Sequence, residues 1–153
     1  MRGLHYRSAY AIGLLGSAAL FVRPASASGE VEVQSSMQCD RAIEPGRVRC
    51  TVEARVAAGR TIAWADVEIL MLPDFASALK GRIGPQDAIA RDATTMKWAL
   101  GLVARRAGQG EARARLRAVV CDAPGPSAPP AAAEAPARCT PVIVEVKAQV
   151  TVG

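Results

Sequence analysis

The sequence predicts an all-β protein: a two-sheet antiparallel sandwich of six to seven strands with one short helical crossover. Three observations predict it. Apolar and polar residues alternate strictly over several long runs, four cysteines are spaced through a short chain, and turn-forming Gly and Pro separate the runs. The chain has 153 residues, room for one domain. Hydrophobic residues make up 50%, but much of that is alanine, and aromatics are only 4%. Large side chains able to fill a core are therefore few.

The first 27 residues read as a secretory signal peptide. Arg2 and Arg7 give a positive start, Ser8 to Val22 is an apolar run, Pro24 breaks it, and Ala25-Ser26-Ala27 offers small residues for cleavage after Ala27. The apolar run is shorter than the roughly 20 residues a membrane span needs. No stable membrane anchor is expected after cleavage, and the expected location is periplasmic or secreted. Removal of residues 1–27 takes away three arginines and no acids, leaving residues 28–153 with sixteen basic and fourteen acidic side chains, a balance of +2. The whole-chain excess of +5 thus comes largely from the leader, and no nucleic-acid partner is expected. His5, the lone histidine, lies in the leader as well, so His-based triads and His metal ligands are excluded from residues 28–153. No cofactor is implied.

The strands follow in order. Val31 to Cys39 alternates, with the odd positions apolar or small. Glu44-Pro45-Gly46 is a turn signal, and Val48, Cys50, Val52, Ala54 and Val56 then share an inward face. Thr61 to Leu72 places Ala63, Ala65, Val67, Ile69 and Met71 on one face and Trp64, Asp66 and Glu68 on the other. Between Pro73 and Ala93, Phe75, Ala78 and Leu79 have helical spacing behind Asp74, a suitable N-cap, and Pro85 opens a second turn. This is the expected crossover, with Phe75 and Leu79 capping one end of the sandwich. Thr94 to Ala104 aligns Met96, Trp98, Leu100 and Leu102; Glu111 to Cys121 aligns Ala112, Ala114, Leu116, Ala118 and Val120 against outward Arg113, Arg115 and Arg117. Residues 122–138 hold five of the ten prolines and form a Pro/Ala-rich loop. The last run sets Val142, Val144, Val146, Ala148, Val150 and Val152 against Glu145, Lys147, Gln149 and Thr151, the mark of a half-exposed antiparallel strand.

Cys39, Cys50, Cys121 and Cys139 suit two disulfides in an oxidising compartment. The local pairing Cys39–Cys50 and Cys121–Cys139 is preferred, because each pair flanks one connection. A zinc site of four thiolates is the functional alternative, but the close paired spacing of zinc ribbons is missing.

The run Trp98-Ala99-Leu100-Gly101-Leu102-Val103-Ala104, followed by Gly110 and the alternating strand to Cys121, resembles the bacterial immunoglobulin-like β-sandwich domains of exported proteins. That resemblance implies the sandwich but no particular activity. Cys50, Trp64 and Cys121 stand in the Cys…Trp…Cys order of antibody domains, and that likeness implies a Cys50–Cys121 bridge across the sheets as the second choice of pairing. A tyrosine corner is impossible, because both tyrosines lie in the leader.

Two constellations qualify as candidate sites. Asp66 and Glu68 are paired carboxylates, the residue type of a small carbohydrate-active or hydrolytic domain. Arg113, Arg115 and Arg117 are a basic stripe suited to an anion or polyanion. Against both stands a plainer expectation: a solvated sheet face whose acids and arginines pair across strands, Glu53 and Glu145 included. The two tryptophans are expected in the core, since large aromatics are scarce. The expected role is non-enzymatic, an exported interaction or structural module whose protein partner binds an edge strand or the loop 122–138.

Overall fold

The computed structural model describes residues 32–123 and 138–153. The proposed leader 1–27 lies outside them, as does nearly all of the proposed loop 122–138. The described chain is all-β: β1 Val33–Cys39, β2 Gly46–Val56, β3 Arg60–Met71, β4 Ala76–Ala78, β5 Arg82–Ile83, β6 Ala88–Arg91, β7 Thr95–Ala104, β8 Gly108–Asp122 and β9 Cys139–Val152. They form two antiparallel sheets. One has the order β1-β2-β7-β4, with β6 also on β7; the other has the order β5-β3-β8-β9.

Alternation builds the core directly. Val48, Cys50, Val52, Ala54 and Val56 of β2 and Met96, Trp98, Leu100 and Leu102 of β7 are buried on one inner face. They meet Val67 of β3, Ala114, Leu116 and Val120 of β8, and Val146, Val150 and Val152 of β9. Full burial of each Val, Leu or Met is worth about 1.5–3 kcal/mol. The turn from β2 to β3 depends on Gly59, whose φ of 82° sits in the left-handed region, while the Arg60 amide donates to the Ala57 carbonyl. At the far end, Ala42 bridges to Val152, so the stretch after β1 ties the two sheets together.

The crossover differs from expectation. Phe75–Leu79 is not helical; Ala76–Ala78 is a strand on β7, and the only helical turn among the described residues is the 3-10 turn Pro85–Asp87. A single isolated helical turn is marginal because nucleation is costly. The exposed edge of β7 supplies partners instead: Ala76, Ser77 and Ala78 pair with Ala104, Val103 and Leu102, and the Leu79 amide donates to the Gly101 carbonyl. Asp74 caps no helix; its carboxylate pairs with Arg106. Among the described residues nine strands replace the expected six or seven, because β4, β5 and β6 are short pieces of this one connection. Phe75 is buried at the sandwich end, whereas Leu79 is 58% exposed.

Bulges revise β3. Register shifts between Ile62 and Trp64 and between Ile69 and Met71 put Ile62, rather than Ala63, in the core and turn Met71 outward. Trp98 is fully buried, its indole N–H donating to the Gly84 carbonyl at 2.9 Å. Trp64 is not in the core and is 38% exposed.

Both disulfides are local. Cys39 is directly opposite Cys50 on the β1–β2 ladder, and Cys121 is directly opposite Cys139 on the β8–β9 ladder. With a partner already facing each sulfur across the neighbouring strand, the Cys50–Cys121 bridge does not form. All four sulfurs are used, so a thiolate zinc site is excluded as well.

Candidate functional site

The sequence-derived candidates converge on one surface, the outer face of the four-stranded sheet. The β3–β8 register sets Asp66 opposite Arg117 and Glu68 opposite Arg115; the β8–β9 register sets Arg115 opposite Glu145. The Arg117 Nε donates to Asp66 Oδ1 at 2.9 Å and its Nη2 donates to Oδ2, a two-pronged pair. Asp66 is only 3% exposed, so this carboxylate is a buried charge with its counter-ion in place. Arg82 of β5 stands 3.8 Å from Asp66 Oδ2 and bonds Glu68 Oε1 at 2.8 Å. The Arg117 guanidinium also lies over the Trp64 ring, 5.9 Å from its centroid. Its hydrogen bonds to Asp66 hold it still more firmly protonated than an ordinary arginine.

The rest of the stripe also has acid partners, along the strand for Arg113 and across it for Arg115. Arg113 bonds Glu111 at 2.6 Å, which holds that carboxyl below its ordinary range, and Lys147 approaches Glu111 from β9. Arg115 reaches Glu145 at 3.9 Å. Glu53, the other expected partner, is on the opposite sheet, where Lys97 first and Arg55 second lower its pKa.

This arrangement limits the chemistry. Asp66 and Glu68 project side by side from one strand rather than across a cleft, and both Asp66 oxygens are occupied by Arg117. Among the described residues, no group of three or more His, Cys, Asp or Glu side chains is placed to hold a metal ion.

No protein-family model matches the chain, and no curated protein matches it. Among solved structures it is similar to BslA, a bacterial hydrophobin, at 10% identity and a TM-score of 0.31, with 82% of this chain and 97% of that chain covered.

The outer face of the five-stranded sheet is built on another plan. Arg47 and Arg49 of β2 are opposite Val103 and Gly101 of β7, not opposite acids. Together with Arg41 they line a groove of about 690 Å³, walled on its far side by Leu79 and Lys80. Among the described residues none of the three arginines has an ionic or hydrogen-bonding side-chain partner. The sequence reading missed these residues. The available signal was Arg47-x-Arg49 on an alternating strand, with Ala99 and Gly101 as small outward residues on another; only strand pairing brings the two together.

Proposed function

We propose that the chain is an exported, non-enzymatic β-sandwich module of the immunoglobulin-like type that acts by contact, as a binding or structural domain in an oxidising compartment. One observation carries the non-enzymatic reading: the acids with catalytic potential are committed as counter-ions, Asp66 to Arg117 and Glu68 to Arg82. Strand order supports the immunoglobulin-like assignment. Taking β1, β2, β7 and β6 as A, B, E and D, and β5, β3, β8 and β9 as C′, C, F and G, fits the ABED and C′CFG sheets of that architecture in chain order, with β4 an additional edge strand on β7. Two disulfides fit an oxidising compartment, and the leader-like first 27 residues fit export.

The contact surface that fits best is the edge of β9. Its hydrogen-bonded strand neighbour is β8, and its first half presents Ile143, 67% exposed. A partner strand added there would use main-chain hydrogen bonds.

Expressed from the full chain in a bacterial host, the protein is expected outside the cytoplasm, beginning at Ser28, with all four cysteines blocked to alkylation until reduced. Recovery as a reduced cytoplasmic protein that retains Met1 refutes export. A hydrolytic activity that Glu68→Gln abolishes at unchanged Tm refutes the non-enzymatic role.

A further inference from the structure

The outer face of the five-stranded sheet holds arginines of two kinds: Arg55 is paired with Glu53, whereas Arg47 and Arg49 have no acid partner. On the four-stranded sheet every stripe arginine has a carboxylate within 4 Å: Glu111 for Arg113, Glu145 for Arg115, Asp66 for Arg117. Arg47 and Arg49 on β2 of the five-stranded sheet, and Arg41 in the connection before it, have none. Strand alternation directs Arg47 and Arg49 to the same side, and β7 contributes no charge opposite them. The groove they line also contains Asp40, Lys80 and Asp87, but Lys80 and Asp87 neutralise each other at 2.7 Å. Four cations against two carboxylates leave the groove positive.

The shape has an equally local cause. Ala99 and Gly101 are the outward residues of β7 at this level, so the sheet surface dips there. Leu79 stands over the dip: a side-chain carbon placed on Gly101 would meet Leu79 Cδ1 at 2.8 Å. The backbone fixes this wall, since the Leu79 amide donates to the Gly101 carbonyl at 2.9 Å. An isobutyl group more than half exposed thus borders a small-residue floor, with unpartnered guanidinium groups on the opposite rim.

We infer that this groove binds a small anionic amphiphile: one carboxylate or phosphate head held by Arg47, Arg49 and Arg41, and a short apolar chain lying over Ala99 against Leu79, which itself covers Gly101. Guanidinium forks match both head groups, and a volume of about 690 Å³ is in the range of small-ligand sites. The inference is independent of the β9 contact surface, which lies on the other sheet.

The test is a nitrogen-15 amide titration of the oxidised protein with octyl phosphate below its micelle concentration. Octanoate, inorganic phosphate and the uncharged octyl glucoside serve as comparison ligands. Octyl phosphate and octanoate are expected to saturate, with shifts centred on Arg47, Arg49, Leu79 and Gly101, and to bind about tenfold or more tightly than inorganic phosphate. The double variant Arg47→Gln/Arg49→Gln is expected to weaken octyl phosphate about tenfold or more, whereas Arg113→Gln/Arg115→Gln leaves it unchanged. Ala99→Leu fills the floor without touching the core and is expected to abolish the preference for octyl phosphate over inorganic phosphate. Equal binding of octyl phosphate and inorganic phosphate overturns the inference. So does unchanged affinity in the Arg47/Arg49 variant with a native spectrum, or shifts spread over both sheet faces.

Discussion

Arg117 on β8 and Asp66 on β3 face each other across the ladder, and the guanidinium donates from two nitrogens to the two oxygens of a carboxylate that is 3% exposed. Breaking such a pair differs from replacing it. Arg117→Ala leaves Asp66 with Arg82 as its nearest cation, 3.8 Å away, and an under-satisfied buried carboxylate costs about 1–3 kcal/mol. The double variant Asp66→Val/Arg117→Val removes the charge together with its partner and places β-branched residues on adjacent strands. It is expected to be more stable than Arg117→Ala, as urea unfolding of the three proteins will show. A double variant less stable than the single one contradicts this account.

Acid is expected to destabilise the protein before any other condition near neutrality. Glu53, Asp87, Asp92 and Glu111 all have lowered pKa values. The largest causes are hydrogen bonds from Lys97, from Lys80, from the Thr94 amide and from Arg113, respectively. A lowered folded-state value means the unfolded chain binds more protons in the window between the two values, so stability rises with pH there. This contribution is complete above the ordinary values of 4.5 for Glu and 3.8 for Asp, and is lost as pH falls through the folded values below them. Thermal unfolding from pH 6 to pH 3 is expected to show Tm falling below about pH 4.5, with a shallower fall in Glu53→Gln.

The two disulfides staple neighbouring strands at separations of 11 and 18 residues. In the chain-entropy description, loops of this size contribute about 3 kcal/mol each by restricting the unfolded chain. Cys121→Ala/Cys139→Ala is expected to lower stability by about that amount in guanidinium unfolding while keeping a β-type circular dichroism spectrum. Loss of the β spectrum in this variant would show that the bridge defines the fold rather than staples it.

The tryptophans are expected to separate by fluorescence. Trp98 is fully buried, whereas Trp64 is partly exposed beneath Arg117. Trp98→Phe leaves an emission that is red-shifted and quenched by acrylamide; Trp64→Phe leaves one that is blue-shifted and protected. Trp98→Phe also removes one of the two donors to the Gly84 carbonyl, which keeps the Asp87 amide at 3.1 Å, and loss of that hydrogen bond is expected to cost about 0.5–1.5 kcal/mol.

Where alternation is unbroken, sequence and structure agree closely. Val48 to Val56 and Met96 to Leu102 point inward as the period of two requires, and β9 buries Val146, Val150 and Val152 while exposing Glu145, Lys147 and Gln149. Agreement ends at β3, where two register shifts redirect Ala63 and Met71. A bulge adds one residue to one strand only, and no local pattern in Thr61–Leu72 marks where. It also fails at Phe75–Leu79, where helical spacing was real but the free edge of β7 offered more hydrogen bonds than one helical turn.

The sites divide along the same line. The sequence alone determined which residues were charged, that those of one strand share a face, that chemistry based on histidine was closed to residues 28–153, and that the cysteines suited oxidation. Only the tertiary structure decided which charges meet. Arg117 finds Asp66 and Arg82 finds Glu68, while Arg49 finds Gly101 and remains without a carboxylate. The reason is physical: alternation is a property of one strand, but pairing depends on register between strands distant in the chain, and register is set by the core they bury together.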